Sequence, residues 1–215
     1  MALGRIVTIR QSNIRGWPAL ACAAMLGFAA PGAAQMDVRD LGHFQGNPFA
    51  PVQVVEFSDF GCSACGLFTR DVKPRIFREY VETGQVGWRI IPIRLARFRH
   101  SLAAMKAAEC AARQADFRPV EQALFDRQRE WQGARDPGSV LRAIVAEAKL
   151  DLATWDRCYA DRRWQDPTSR NNQVARRLRV PGTPTFFING RPALGALSYE
   201  QFTAILTDEA EAAFR

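Results

Sequence analysis

Cys62 and Cys65, two residues apart behind the apolar run Gln53-Val54-Val55-Glu56-Phe57, constrain this chain more than any other feature. A strand that feeds a Cys-x-x-Cys at the start of a helix sets the first sulfur at the positive end of the helix dipole. A thiolate is stabilised there, and a disulfide there is open to attack. Gly61 allows the turn from strand to helix, and Phe68, Val72, Ile76, Phe77 and Tyr80 then recur at helical spacing. Pro74 is expected to kink that helix and Gly84 to end it, before a second strand over residues 86–93.

From residue 98 to residue 179 the pattern is helical. Residues 101–114 are alanine-rich, residues 119–131 carry Val120, Leu124 and Phe125, and the run after Pro137 carries Leu141, Ile144 and Val145. Asp151 is placed to cap a further helix that presents Leu152, Trp155, Cys158 and Tyr159 on one face. Strand signals return at residues 185–188. Asn189-Gly190 marks a tight hairpin, and residues 192–194 form a short edge partner that tolerates Pro192. Ser198-Tyr199-Glu200-Gln201 is a capping box for a last helix with Phe202, Ile205 and Leu206 inward. The order is β-α-β, a helical insert, then β-β-α. It divides the chain into an α/β unit begun by residues 35–97, an insertion over 98–179, and the unit's completion over 180–215.

The first 34 residues read as an export signal. Arg5, Arg10 and Arg15 precede an apolar stretch from Trp17 to Ala30, and Gly32-Ala33-Ala34 offers small residues to a signal peptidase before Gln35. The apolar stretch is short for a membrane span of about 20 residues and is interrupted by Pro18 and flanked by Pro31, so cleavage is expected over anchoring. No adjacent arginine pair occurs within it, which favours the general export route. Cys22 lies inside the discarded stretch.

Loss of the signal lowers the net charge from +7 to +4. The basic residues, nearly all Arg, are scattered among acids along the chain, so they read as a solvated surface and nucleic acid is not an expected partner. An apolar content of 47% argues against disorder.

Export leaves Cys62, Cys65, Cys110 and Cys158, an even number suited to a compartment where disulfides persist. Zinc is not expected, because no second Cys-x-x-Cys exists and the mature chain offers only His43 and His100. Cys110 and Cys158 fall on separate helices of the insert, and a second, structural disulfide between them is expected, with two buried thiols as the alternative. Glu56 lies in a hydrophobic strand. A carboxylate is costly there unless it has a task, and the alternative is a strand residue that faces water.

The order of elements, the stretch Val54-Val55-Glu56-Phe57-Ser58-Asp59-Phe60-Gly61-Cys62 and the run Val180-Pro181-Gly182-Thr183-Pro184-Thr185-Phe186-Phe187-Ile188-Asn189-Gly190 together resemble the DsbA-like thiol:disulfide oxidoreductases of the thioredoxin superfamily. The resemblance covers nearly the whole mature chain and implies a thioredoxin fold with an all-helical insertion. It implies that Cys62 is the exposed nucleophile, that Cys65 is the more buried resolving cysteine, and that Pro184 is a cis-proline whose neighbour Thr183 offers backbone groups to substrate. Glu56 falls where the family carries a buried acid, which with a raised pKa would take the proton of Cys65. Ser63 and Ala64 depart from the family's pattern, which has a proline and often a histidine between the cysteines. A milder oxidant is therefore expected.

The resemblance implies a periplasmic, monomeric enzyme that transfers its disulfide to reduced exported proteins and is reoxidised by a DsbB-like membrane partner, without cofactor or metal. An isomerase or reductase is the neighbouring reading. It is disfavoured because only about 17 residues separate the expected cleavage site from the first strand, too few for a dimerisation domain. A Cu(I)-handling protein is a reading of a different class, since a reduced Cys-x-x-Cys holds Cu(I), but no Met- or His-rich segment accompanies it.

Overall fold

The computed structural model describes residues 38–164 and 166–214. The expected signal over residues 1–34 lies outside them. Strands β1 (His43–Gly46), β2 (Val52–Ser58), β3 (Val86–Pro92), β4 (Thr185–Ile188) and β5 (Arg191–Leu194) form one sheet in the order β1-β3-β2-β4-β5. β2 is central, parallel to β3 and antiparallel to β4, and β1 and β5 close the edges antiparallel to β3 and β4. β1 has no strand signal of its own, because four residues of mixed character show neither alternation nor β-branching. Pairing with β3 creates it.

Side chains of β2 alternate between two cores, as the pleat requires. Val52 and Val54 pack with Phe68, Phe77, Trp88, Phe186 and Phe202 on one face, whereas Val55 and Phe57 pack with Leu41, Ile91 and Val174 on the other. The segment after the cysteines is α1 (Ser63–Asp71), α2 (Lys73–Ile76) and a wider π-type turn over Phe77–Val81. The break falls at Val72, beside Pro74. Proline has no N–H to offer the carbonyl four residues back, so the expected kink becomes a separation of two helices.

Helices α3 (Ser101–Ala112), α4 (Phe117–Asp126), α5 (Gln128–Gly133), α6 (Gly138–Glu147) and α7 (Leu152–Ala160) share a core of their own with Phe60, Cys62 and Cys65. The single helix expected over 119–131 is divided at Arg127, between α4 and α5. Helix α8 (Thr168–Arg177), the last of the 98–179 segment, packs on the sheet through Val174 and Ala175. The expected caps form. Asp151 accepts from the amides of Ala153 and Thr154, and Ser198 and Gln201 make the reciprocal capping box of α9 (Tyr199–Ala213).

Candidate redox site

Cys62 caps the N-terminus of α1, with extended backbone and its carbonyl receiving the Gly66 amide at 3.1 Å. Its Sγ donates to the Thr183 carbonyl at 3.2 Å, across from a cis Thr183–Pro184 bond. Both cysteines are free thiols. Cys62 is only 4% exposed and Cys65 is fully buried, so the nucleophile expected to be open is itself buried.

The environment separates the two thiols. The facing Cys65 thiol, with the Thr183 hydroxyl and the Cys65 and Ala64 amides, favours the Cys62 thiolate, outweighs burial and pulls the Cys62 thiol down to about 6. Burial and the facing Cys62 sulfur push Cys65 well above the ordinary thiol range. The hydroxyls of Thr183 and Ser58 have no hydrogen-bond partner in this dithiol. Each faces one sulfur, Thr183 toward Cys62 and Ser58 toward Cys65, ready to donate to a thiolate.

Three carbonyls of the turn that presents Cys62 are held by one short helix of the insert. Gln128 Nε2 donates to Phe60 at 2.6 Å and to Cys62 at 3.0 Å, and Gln132 Nε2 donates to Gly61 at 2.7 Å. The buried Asp59 fixes the turn from the other side. It accepts from the amides of Gly61 at 2.7 Å and Leu95 at 2.6 Å and from the Ser101 hydroxyl. Burial raises its pKa. Gly61 must be glycine, because a Cβ there would come within 2.3 Å of the Phe98 Cβ.

Glu56 is fully buried, which removes the solvent-facing alternative. Its Oε2 accepts from Lys73 Nζ at 3.0 Å and from Trp88 Nε1 at 2.9 Å, while Oε1 has no partner. Lys73 also reaches Glu121 Oε1 at 2.7 Å. Burial alone would lower the lysine pKa, yet Glu121 and Glu56 more than offset it and hold Lys73 charged. Burial pushes Glu121 up to about 7 against the pull of Lys73.

Lys73 and Glu121 were not singled out from sequence, although a signal existed. Lys73 lies three and four residues before Ile76 and Phe77, and Glu121 three and four before Leu124 and Phe125. Each charge therefore falls on its helix's apolar face. Gln128 and Gln132 gave no such signal, because a neutral amide on a helix looks the same whether it faces water or a carbonyl.

Cys110 on α3 and Cys158 on α7 are joined, with Cα atoms 5.7 Å apart and a separation of 48 in sequence. Among the described residues no group of three or more His, Cys, Asp or Glu is placed to hold a metal ion, and no helix is long and apolar enough to cross a membrane.

A family model described as Thioredoxin matches residues 39–208. Among curated proteins, a Na(+)/H(+) antiporter NhaA 3 of Salinispora tropica is 34% identical over 190 residues, 87% of this chain but 28% of that protein. The chain thus spans little more than a quarter of that relative's length. The disulfide bond formation protein D of Bacillus subtilis is 22% identical over 169 residues, 76% of this chain and 75% of that one. Among solved structures, Wolbachia pipientis α-DsbA1 superposes with a TM-score of 0.71 at 24% identity over 80% of this chain and 92% of its own. That likeness establishes a DsbA-like fold.

Proposed function

The chain belongs to the thioredoxin family, and we propose that it acts as a thiol:disulfide oxidoreductase that passes the Cys62–Cys65 disulfide to reduced proteins outside the cytoplasm. The observation that carries this reading is the split between the two thiols, with Cys62 drawn to about 6 beside the Thr183 carbonyl and Cys65 pushed up in the core. The Bacillus subtilis relative, a disulfide bond formation protein, supports the same reading.

A substrate thiolate attacks Cys62 Sγ of the oxidised enzyme. The Cys62–Cys65 bond breaks, and Cys65 leaves with the electron pair and takes up a proton. A second substrate thiolate then attacks the substrate sulfur of the mixed disulfide and expels the Cys62 thiolate. The substrate loses two electrons and the enzyme gains them as a dithiol. Cys62 is the better leaving group because its thiolate already has donors, which drives transfer toward oxidised substrate. Thr183 lies outside the β4 ladder, which begins at Thr185, so once Cys62 is in a disulfide and has no proton to donate, the Thr183 carbonyl can receive an extended substrate chain beside Cys62. In the reverse direction Cys65 must lose its proton before it attacks, and Glu56, with Oε1 unpartnered, is the group assigned to accept it. An export signal over residues 1–34 and reoxidation by a DsbB-like membrane protein complete the reading.

Equilibration of the protein with glutathione buffers tests it. An oxidase gives a Cys62–Cys65 potential well above that of a thioredoxin-type reductase at about −270 mV. A potential at or below that value would assign the protein to reduction. When the reduced protein attacks a disulfide, Glu56→Gln should slow the release of the mixed disulfide by Cys65 more than the first attack by Cys62, and equal effects on both steps would remove Glu56 from proton transfer.

A further inference from the structure

Over much of the chain the arginines are interspersed with acids, but not around the dithiol. The segments that surround Cys62 contain no Asp or Glu at all over residues 60–70, 83–108 and 167–199. Two stretches of them meet beside the site. The loop after β3 carries exposed Arg94, Arg97 and Arg99, and the end of α8 with the two residues beyond it carries exposed Arg176, Arg177 and Arg179. Asn172 ties the two together, with Nδ2 on the Arg94 carbonyl at 2.8 Å and Oδ1 on the Arg94 amide at 3.0 Å.

Both stretches abut the dithiol. Leu95 bonds to Asp59, Phe98 packs against Gly61, and the chain beyond Arg179 runs directly into Thr183, whose carbonyl meets Cys62. None of the six arginines has a carboxylate partner among the described residues. Arg97 lies over the Phe98 ring and near enough to Asp59 to affect it, and the other five side chains have no partner among the described residues. Acids of neighbouring elements are engaged elsewhere: Glu130 pairs with Arg127, Asp136 accepts from the Gly138 amide, and Asp166 accepts from Thr168.

We infer that this arginine rim selects polypeptide partners whose reacting cysteine is flanked by Asp or Glu. The inference rests on the exchange chemistry proposed for the same dithiol. A polypeptide fits better than a small anion because the charges are spread over two stretches of chain, and because exposed apolar side chains lie by the site. Leu67 of α1 is 51% exposed, and Leu194, paired with Thr185 next to Pro184, is 56% exposed. Unpaired like charges around a cleft concentrate and orient an oppositely charged partner, with on-rate gains of about 10- to 1000-fold at low salt.

The test uses three dithiol peptides that differ only in the residues beside each cysteine, which are Glu, Gln or Lys. Oxidised protein should oxidise the Glu peptide about tenfold faster than the Lys peptide at low ionic strength. The ratio should approach one at about 0.5 M salt, where the Debye length is only a few ångströms. The variant Arg94→Gln/Arg99→Gln/Arg177→Gln/Arg179→Gln should lose the ratio while it still oxidises dithiothreitol at the unaltered rate. Equal rates for the three peptides, or a ratio that survives in the variant, would overturn the inference. So would an arginine-dependent affinity for vesicles of anionic phosphatidylglycerol without peptide discrimination, which would assign the rim to a membrane surface. If the unaltered protein oxidises no dithiol, the exchange reading fails instead. Anisotropy of the Cys→Ser peptides on the reduced protein then judges the rim, with Glu over Lys preference supporting it and no preference overturning it.

Discussion

Gln128 Nε2 lies 3.0 Å from the carbonyl oxygen of Cys62, 66 residues away in sequence, and 2.6 Å from that of Phe60. The helical insert therefore grips the redox turn through its backbone. Because the C=O and N–H of one peptide unit point in opposite directions, holding the Cys62 carbonyl toward α5 also sets the direction of the next amide, at the start of α1. These carbonyls neither gain nor lose a proton in thiol exchange, so the grip does not depend on the charge of the Cys62 sulfur.

Gln128→Leu should raise the Cys62 thiol above about 6, because the turn loses the bonds that orient the α1 amides toward the sulfur. Two buried carbonyls are left without these donors, at a cost of about 1–3 kcal/mol for each group wholly unsatisfied. Thiolate absorbance near 240 nm against pH reads the first effect and urea unfolding the second. A stability loss with an unmoved thiol titration would reduce Gln128 to a packing role.

Cys62 in the reduced protein should alkylate with a midpoint near pH 6, while Cys65 stays unreactive across the neutral range. Cys65→Ser should trap mixed disulfides through Cys62, and Cys62→Ser should trap none. Peptide mapping of the alkylated and trapped species checks both, and a reversed pattern would show that the nucleophile is Cys65.

The sequence made the dithiol, the hairpin, the caps and the last helix legible, because each rests on local rules: a dipole, a turn residue, a side chain bonded to an amide three residues on. What it concealed depends on contacts across the chain. Strand β1 exists only because His43–Gly46 pairs with β3. The buried position of Glu56 was readable, but its cation was not. Lys73 comes from the break between α1 and α2, and the second carboxylate, Glu121, comes from the insert. The arginines looked dispersed because their distance along the chain says nothing of how α8 and the loop after β3 are joined by Asn172.

Replacing Cys110 and Cys158 with Ala should destabilise the protein in which Cys62 and Cys65 are reduced and the Cys110–Cys158 bridge is intact by about 4 kcal/mol, the loop-entropy value for a separation of 48 residues. The Cys62 titration should not change, because α3 and α7 supply none of the donors to its sulfur. Urea midpoints and thiolate absorbance of the same samples check this, and a shifted titration would connect the bridge to the site.

The reduced protein should change stability with pH relative to the oxidised one in a defined order. Cys62 has a folded value of about 6 against 9.0 for an unperturbed thiol, so the unfolded chain binds more protons between these values. The reduced fold therefore gains stability as pH rises from about 6 to 9 and loses it as pH falls through 6. Cys65 acts oppositely: its raised value subtracts stability above pH 9. The reduced-minus-oxidised difference in unfolding free energy should rise to a maximum near pH 9, and a flat difference from pH 6 to 9 would contradict the lowered Cys62 thiol.

Lys73→Met should be the most damaging single change in the core. It leaves Glu56 and Glu121 buried and facing each other without the ammonium that lies 3.0 Å from one and 2.7 Å from the other. Removing one partner of a buried ionic cluster costs about 3–5 kcal/mol. The pH dependence separates this mechanism from a packing defect. Even with Lys73 present, burial holds Glu121 up to about 7, so its folded pKa exceeds its unfolded value of 4.5 and it withdraws stability as pH rises between them. Without Lys73 that withdrawal should deepen, so the variant should lie closest to the unaltered protein near pH 5 and fall furthest below it near pH 8. The further change Glu121→Gln should restore much of the loss at pH 8 and little at pH 5. Urea unfolding of the three proteins at both pH values decides it, and a deficit of equal size at pH 5 and pH 8 would mean that Lys73 stabilises the core through its methylene stem and not through its charge.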